Sequence, residues 1–413
     1  MEKLIFENNR TVIDKEEKKA LTVLFAGDLC PVHKTEALIL NGHSKDIIAP
    51  LGDSFFDRDL AIVNLEAPLT KNCTPIRKTG PNLKLDPGCV SFLKEASFDV
   101  VSLANNHMGD YGYEPVMETI KLLKENEIKY VGAGENLEAS KKALNFKKNG
   151  VTISILAYAE YEFGIAEKNT PGAAPFDPVT AIREIRKQKA ISDIVLVIIH
   201  GGNERCPVPN PAMVNALRAL AEAGATAVIA MHTHCPQGIE IHEGVPIVYS
   251  LGNFLFDSPH AKRPGKGDFW WSGYMTKISF SGNKALSLEV IPYTFWPDGT
   301  AVYPLEGHDK EMFIRYLMHL SDLILKEDER LRIWNAWCAV TGPFWIDWFK
   351  KASYPVDEND EKAFFATMVI RNGFTCMAHY EVARNFMRML CEGRLPEAKT
   401  HIAALEKLQR GEV

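Results

Sequence analysis

A chain of 413 residues, of which 46% are hydrophobic, has enough apolar material for a large core, and extensive disorder is excluded. Its formal net charge of −6 argues against a surface for nucleic acid or anionic membranes. The eight cysteines are scattered and form no C-x-x-C motif, so we expect reduced thiols rather than disulfides.

The N-terminal residues 1–20 are predicted to form an arm that could contain one short helix. This arm is charged and lacks the apolar stretch of a signal peptide. Nowhere does an apolar run approach the roughly 20 residues that span a bilayer. We therefore expect a cytoplasmic protein without a transmembrane segment.

Strand and helix patterns alternate through a predicted domain of residues 21–296. Six apolar runs are typical of buried parallel strands: Leu21–Phe25, Leu60–Val63, Val100–Leu103, Ile194–Ile199, Ala225–Ile229 and Pro246–Tyr249. Helical patterns lie between them at Glu114–Asn126, Val179–Lys189 and Pro211–Ala223. Alternating patterns at Tyr274–Phe280 and Ser287–Thr294 predict an antiparallel pair.

Residues 297–413 are predicted to be a helical C-terminal segment that contributes little to any metal site. Its first helix places four apolar residues on one face: Phe313, Leu317, Leu320 and Ile324. Further helical patterns occur at Glu361–Arg371, Cys376–Leu390 and Pro396–Leu408. The histidines of this segment are isolated from any block of possible ligands.

Short polar blocks follow the first three apolar runs. Asp28 and Glu66 come after the first two, and a carboxylate at a buried strand end needs a partner, for which a cation is the simplest choice. Asn106 and His107 follow the third run, where an amide oxygen can bind a metal and an imidazole can act as a general acid. A turn or a helix cap is the structural alternative for these residues.

Histidines follow two later runs. His200 ends the most apolar run in the chain, and alone it would fit a buried core residue. His232 and His234 stand two apart, so in an extended segment both side chains point to the same side. Two imidazoles on one side suit a divalent metal. Because ligands collect beyond the carboxyl ends of strands in an open α/β sheet, we expect all six blocks to converge on one sheet edge.

Other residues of these blocks are candidates for substrate contacts: Asn64, Asn105, Glu204 and Asn253. For Asn253 a plain Gly-Asn turn is the alternative. Arg77, Lys78 and Lys84 could meet an anion, but a solvated loop is the favoured interpretation. Trp270 and Trp271 could cover the site, although core packing is the favoured explanation for both.

The order of the blocks resembles the CapA family of capsule and poly-γ-glutamate synthesis proteins, within the calcineurin-like metallophosphoesterase superfamily. The blocks are Gly-Asp, Asn-Leu-Glu, Ala-Asn-Asn-His, His-Gly-Gly-x-Glu, His-x-His and Ser-Leu-Gly-Asn-Phe. The resemblance covers roughly residues 21–295. It implies an α/β fold, a two-layered β-sandwich core flanked by helices, here followed by the helical C-terminal extension.

The resemblance also implies one or two divalent metal ions, whether Mn, Zn, Fe or Mg, and a role for each block. Glu66 would bridge two metals, and His107 would be the acid that protonates the leaving oxygen. Asp28 and His234 would hold one metal; the other would be held by Asn106, His200 and His232. The superfamily usually has a histidine where this chain has Cys30, which weakens the first metal position.

The leading functional hypothesis is a metal-dependent hydrolase that acts on a phosphate ester or related anion in polymer metabolism. Its substrate would be a small-molecule, peptide-like or polymeric anion. One alternative keeps the pocket without metal and uses Asp28 with a histidine as an acid/base pair, for example in proton abstraction or epimerisation of a peptide-like substrate. Another is a non-catalytic partner of a polymer synthase.

Overall fold

The computed structural model describes residues 4–7, 9–14, 21–258, 261, 269–352 and 359–413. Its strands are β1 Arg10–Val12, β2 Leu21–Cys30, β3 Leu60–Leu65, β4 Val100–Ser102, β5 Lys129–Val131, β6 Ala133–Gly134, β7 Leu144–Lys148, β8 Val151–Ala159, β9 Gly172–Ala173, β10 Ile194–His200, β11 Ala227–Met231, β12 Ile239–His242, β13 Val245–Val248, β14 Asn253–Phe256, β15 Ser272–Ser281, β16 Lys284–Thr294 and β17 Tyr303–Pro304.

Its α-helices are α1 Lys34–Leu40, α2 Ser44–Ile48, α3 Gly52–Phe56, α4 Val90–Glu95, α5 Tyr113–Glu125, α6 Leu137–Ser140, α7 Pro178–Lys189, α8 Pro211–Glu222, α9 Gly307–Leu325, α10 Glu327–Phe349, α11 Glu361–Thr375, α12 Met377–Cys391, α13 Leu395–Lys399 and α14 Ile402–Gln409. Two short 3-10 helices lie at Ala49–Leu51 and Pro87–Cys89.

Two large sheets form the centre of the molecule. The first has the order β1-β16-β15-β2-β3-β4-β5, with β14 paired to β2 and β17 paired to β16. The second has the order β12-β13-β11-β10-β8-β7. Strands β2 to β5 are parallel, as are β8, β10, β11 and β13. The predicted antiparallel pair is confirmed by the pairing of β15 with β16.

The strands that end in the polar blocks are divided between the two sheets. Strands β2, β3 and β4 belong to the first sheet, whereas β10, β11 and β13 belong to the second. The expectation of one open sheet is therefore wrong, and the two-layered core implied by the family resemblance is confirmed. A continuous apolar run shows that a strand is buried on both faces, but it does not reveal which strand it pairs with.

Side-chain alternation on β10 shows how the layers are built. Leu196 and Ile198 point into the main core, which also contains Val23 of the first sheet. Val195 and Val197 point to the opposite face, where they pack with residues of α7 and α8. Because successive side chains of a strand face opposite ways, β10 needs apolar residues throughout. The predicted sandwich flanked by helices follows from this burial.

A close backbone approach joins β2 to the segment before β14. A Cβ atom on Gly27 would lie 1.9 Å from the carbonyl oxygen of Gly252. Gly27→Ala should therefore push the two segments apart and destabilise the fold by about 1–3 kcal/mol or more, as overpacking commonly does. A melting temperature lowered by several degrees would show this. A melting temperature equal to that of wild type would contradict this close approach.

The C-terminal segment is helical, as predicted, and the four apolar residues assigned to one face of α9 are all buried. Helix α10 was not predicted from the sequence; it contains Pro343, a residue that normally interrupts helices. The single helix expected at Pro396–Leu408 is two helices, α13 and α14. Within the described part of the chain, no helix combines the length and apolar character needed to cross a membrane.

Candidate metal centre

The six predicted ligand residues lie together at the carboxyl ends of strands from both sheets. Asp28 is near the end of β2, Glu66 directly follows β3, and His200 is the last residue of β10. All six side chains are almost fully buried, and the most exposed, Asn106, retains 7% of its accessible surface. The two sheets thus bring together residues up to 206 positions apart in the chain, from Asp28 to His234.

One group of possible ligands surrounds the Nε2 atom of His200. This atom lies 3.0 Å from Asn106 Oδ1 and 3.6 Å from Glu66 Oε1. His232 Nδ1 is also 3.0 Å from it. Glu66, His200 and His232 offer ligand atoms that all lie within 4.8 Å of one another. Nitrogen and oxygen donors at this spacing can hold a divalent cation.

A second group shares Glu66 and adds Asp28 and His234. Their ligand atoms also lie within 4.8 Å of one another. His234 Nε2 is 3.7 Å from Glu66 Oε1, and its Nδ1 is 3.8 Å from Asp28 Oδ2. Glu66 is the member common to both groups, which is the arrangement expected of a bridging carboxylate between two metals.

The carboxylate of Glu66 is not stabilised by any hydrogen bond from the described residues. Both of its oxygens are buried and lack a hydrogen-bond partner among the described residues. Burial, with the added charge of Asp28, raises the pKa of Glu66 well above its ordinary value. Burying a charged carboxylate without an opposite charge beside it is energetically unfavourable, and a bound cation would supply that charge. The donor set therefore fits one or two divalent ions.

Asp28 is held in place from three directions. Asn64 Nδ2 donates to its Oδ1 at 2.8 Å, and the backbone N–H of His232 donates to its Oδ2 at 2.9 Å. His200 Nδ1 lies 3.5 Å from Oδ1. Burial alone would raise the pKa of Asp28, but the hydrogen bond and charge of His200 contribute to lowering it below its usual value. The lowered pKa favours the ionised form of Asp28, which is the form that binds a metal.

His107 stands beside the two groups and belongs to neither. Its Nδ1 lies 2.7 Å from Asp110 Oδ2, and its Nε2 is 4.0 Å from Glu66 Oε1. Burial, and then the nearby charge of Lys78, lower the pKa of His107. Asp110 orients the ring by accepting from Nδ1, which leaves Nε2 facing the centre. This geometry suits proton exchange at Nε2.

The backbone at His232 and His234 differs from the extended segment that the sequence analysis assumed. Both residues have positive φ, 101° for His232 and 54° for His234. Such values are uncommon for residues other than glycine and are found mostly where surrounding structure enforces them. Both rings still reach the centre, but through a strained turn after β11 and not through strand alternation.

Three of the four predicted substrate contacts are buried, and two of these, Asn253 and Asn64, are bonded to ligand candidates. Asn253 Oδ1 lies 2.8 Å from His234 Nδ1, and Asn64 bridges Asp28 and His200. Asn105 donates to the backbone oxygen of Leu65 and accepts from the backbone of His107. These bonds indicate positioning roles. Glu204 is exposed, in the loop after β10. Contact with substrate stays a prediction for all four.

Asp110 and Glu162 also lie beside the site, although neither was predicted from the sequence. Glu162 Oε1 lies 3.8 Å from His232 Nε2, and it follows the apolar strand β8, a signal of the same kind as at the other blocks. Asp110 stands three residues after His107, a spacing that can close a turn. The favoured interpretation of a solvated loop is wrong for Lys78, whose ammonium group is buried and bonded to Asp110.

Cys30 and the two tryptophans complete the surroundings. Cys30 is fully buried within the main hydrophobic core, and it belongs to neither group of possible ligands. Trp270 is 8% exposed, and its ring centroid lies 4.7 Å from that of His234. Trp271 is packed against Phe295 in the core. Core packing therefore describes Trp271, while Trp270 also covers one imidazole of the centre. All eight cysteines are free.

Solved structures resemble this chain at low sequence identity. The 5'-nucleotidase precursor from Thermus thermophilus has a TM-score of 0.40 and 13% identity, and the match covers 69% of this chain and 54% of that one. The 5'-nucleotidase from Candida albicans has a TM-score of 0.41 and 12% identity, covering 68% of this chain and 53% of that one.

Sequence comparison identifies the family. The PGA biosynthesis protein CapA of Bacillus subtilis (strain 168) is 33% identical over 266 residues, which are 60% of this chain and 70% of the relative. The capsule biosynthesis protein CapA of Bacillus anthracis is 32% identical over 342 residues, covering 78% of this chain and 79% of the relative. The family model for the bacterial capsule synthesis protein PGA_cap matches residues 22–258. The chain therefore belongs to the PGA_cap family of bacterial capsule synthesis proteins, and the predicted CapA assignment is confirmed.

Proposed function

We propose that this protein is a metal-dependent hydrolase acting on a phosphate ester or related anion during the synthesis or processing of a capsule or poly-γ-glutamate type of polymer. The observation that carries the proposal is Glu66, whose buried carboxylate lacks a hydrogen-bond partner among the described residues and is shared by two groups of possible ligands. The polymer is proposed from the names of two relatives, a PGA biosynthesis protein and a capsule biosynthesis protein.

The proposed roles follow from the contacts of each side chain. Asp28 and His234 would hold one cation, Asn106, His200 and His232 would hold a second, and Glu66 would contribute to both. What a divalent cation supplies in such a centre is positive charge that stabilises oxygen atoms as they become negative. His107 exchanges a proton at Nε2 with the reacting group, and Asp110 keeps its Nδ1 proton and ring orientation fixed.

The test separates this proposal from its two rivals. We expect purified protein to retain one or two equivalents of divalent metal by elemental analysis and to cleave an aryl phosphate only when metal is present. Asp28→Ala should remove metal and lower the rate at least about 100-fold, since even residues outside the ligand shell commonly contribute 10–100-fold. The matched control is Asp53→Ala, because Asp53 lies on the exposed face of α3.

The other outcomes contradict the proposal in distinct ways. Activity that is lost in Asp28→Ala but unaffected by chelators would support the metal-independent acid/base enzyme. Full support of polymer synthesis by Asp28→Ala, together with no hydrolysis by either protein, would support a non-catalytic partner. Wild-type protein that binds no metal at any tested concentration would also overturn the proposed metal centre.

A further inference from the structure

A cavity of about 810 Å³ lies between the loop at residues 76–82 and the C-terminal helices α10 and α11. This volume falls within the 300–1,000 Å³ typical of sites for organic ligands, so it suits more than a single inorganic ion. The residues that matter for its chemistry are Arg77, Lys78, Trp348, Lys351, Lys362 and Phe364. The C-terminal helices thus supply one wall of a site whose other wall belongs to the family domain.

The cavity is rich in positive charge. Arg77, Lys351 and Lys362 are exposed and form no ion pair with a carboxylate among the described residues, whereas Glu361 is the acidic side chain of the lining. The guanidinium of Arg77 lies 4.6 Å from the ring centroid of Phe364. The ammonium of Lys351 lies 4.2 Å from the ring of Trp348. These aromatic contacts hold cations in place without neutralising them.

Lys78 connects this cavity to the candidate metal centre. It lines the cavity, and its Nζ lies 3.2 Å from Nδ1 of His107. His107 in turn presents Nε2 at 4.0 Å from Glu66 Oε1. The cavity therefore reaches the Nδ1 side of the His107 ring, whose Nε2 faces the centre. The other cations of the lining are more exposed than Lys78: Arg77 is on the loop, and Lys351 and Lys362 are on or next to the helices.

We propose that this cavity binds several carboxylate groups of an acidic peptide-like polymer beside the candidate metal centre. The separate cations match a repeated negative charge, since Arg pairs well with carboxylates and Lys provides compact point charges. The aromatic rings can contact the aliphatic part of each repeat. The inference rests on the proposed function in placing the reacting bond at the centre, whereas binding itself can be measured without turnover.

The test measures binding of a fluorescent glutamate oligomer of about ten residues to the full chain. Combining Arg77→Ala, Lys351→Ala and Lys362→Ala should weaken binding at least tenfold, and the remaining affinity should depend less on salt because fewer charges contribute. The matched control combines Lys121→Ala, Lys168→Ala and Lys399→Ala, which are exposed lysines elsewhere. We expect this control and wild type to bind alike, and a glutamine oligomer to bind at least tenfold more weakly than the glutamate oligomer.

Each other outcome is decisive. Equal affinity of wild type and the cavity variant, or equal weakening by the control variant, would overturn the proposal. Tighter binding of single-stranded DNA through the same three residues would overturn the polymer class. If Glu66→Gln and wild type bind the oligomer equally and the cavity variant does not, the inference stands. It stands in that case even when wild type shows no hydrolysis, a result that would defeat the proposed function alone.

Discussion

Replacing Glu66 with Gln is expected to remove bound metal and nearly all hydrolytic activity. Glu66 is the carboxylate common to both groups of possible ligands, so the neutral amide would weaken both positions at once. The loss of metal affinity should exceed the roughly 10–100-fold typical of residues outside the ligand shell. Elemental analysis and a rate measurement on the same preparation check this. The matched control is Glu114→Gln, on the exposed start of α5.

Glu66→Gln should stabilise the metal-free protein, although the variant should be less stable than wild type when metal is bound. The raised pKa of Glu66 means that its contribution to stability is fully present below the unfolded pKa and is lost as pH rises through the folded pKa. In chelator at pH 8, the neutral Glu66→Gln protein should therefore melt at a higher temperature than wild type. With metal added, wild type should be the more stable protein. Failure of the order to reverse would contradict a cation site at Glu66.

His107→Asn is expected to lower turnover by about 10²–10⁴-fold while leaving metal content unchanged. His107 lies outside both groups of possible ligands, yet its Nε2 faces Glu66. Asn has no group that can exchange a proton near neutral pH. Parallel measurement of kcat and metal content separates proton transfer from ligation. Loss of metal in proportion to the rate would make His107 a ligand and defeat its assigned role.

Asp110→Asn tests whether Asp110 positions His107 for proton transfer. Asp110 contacts His107 Nδ1 and Lys78 but lies away from the candidate ligands, so it should position the imidazole without holding metal. We expect a smaller loss of kcat than in His107→Asn, with a displaced pH profile. A pH profile identical to that of wild type would show that Asp110 has only a structural role.

Local sequence determined the elements that carry the site. Apolar runs placed β2, β3, β4, β10, β11 and β13, because a strand buried on both faces needs apolar residues throughout. A buried carboxylate after such a run needs a partner, which is why Glu66 was a candidate from the amino-acid sequence, whereas His200 became one only together with His232 and His234. Helical spacing likewise placed α5, α7, α8 and α9.

Tertiary structure alone decided how those residues meet. The apolar runs do not encode that β2 and β10 lie in different sheets, and only the packing of both sheets brings Asp28 within 3.5 Å of His200. The positive φ values at His232 and His234 also depend on surrounding contacts. The cavity beside Lys78 arises because helices far along the chain cover an earlier loop. Such contacts join distant residues, and local propensity carries no information about them.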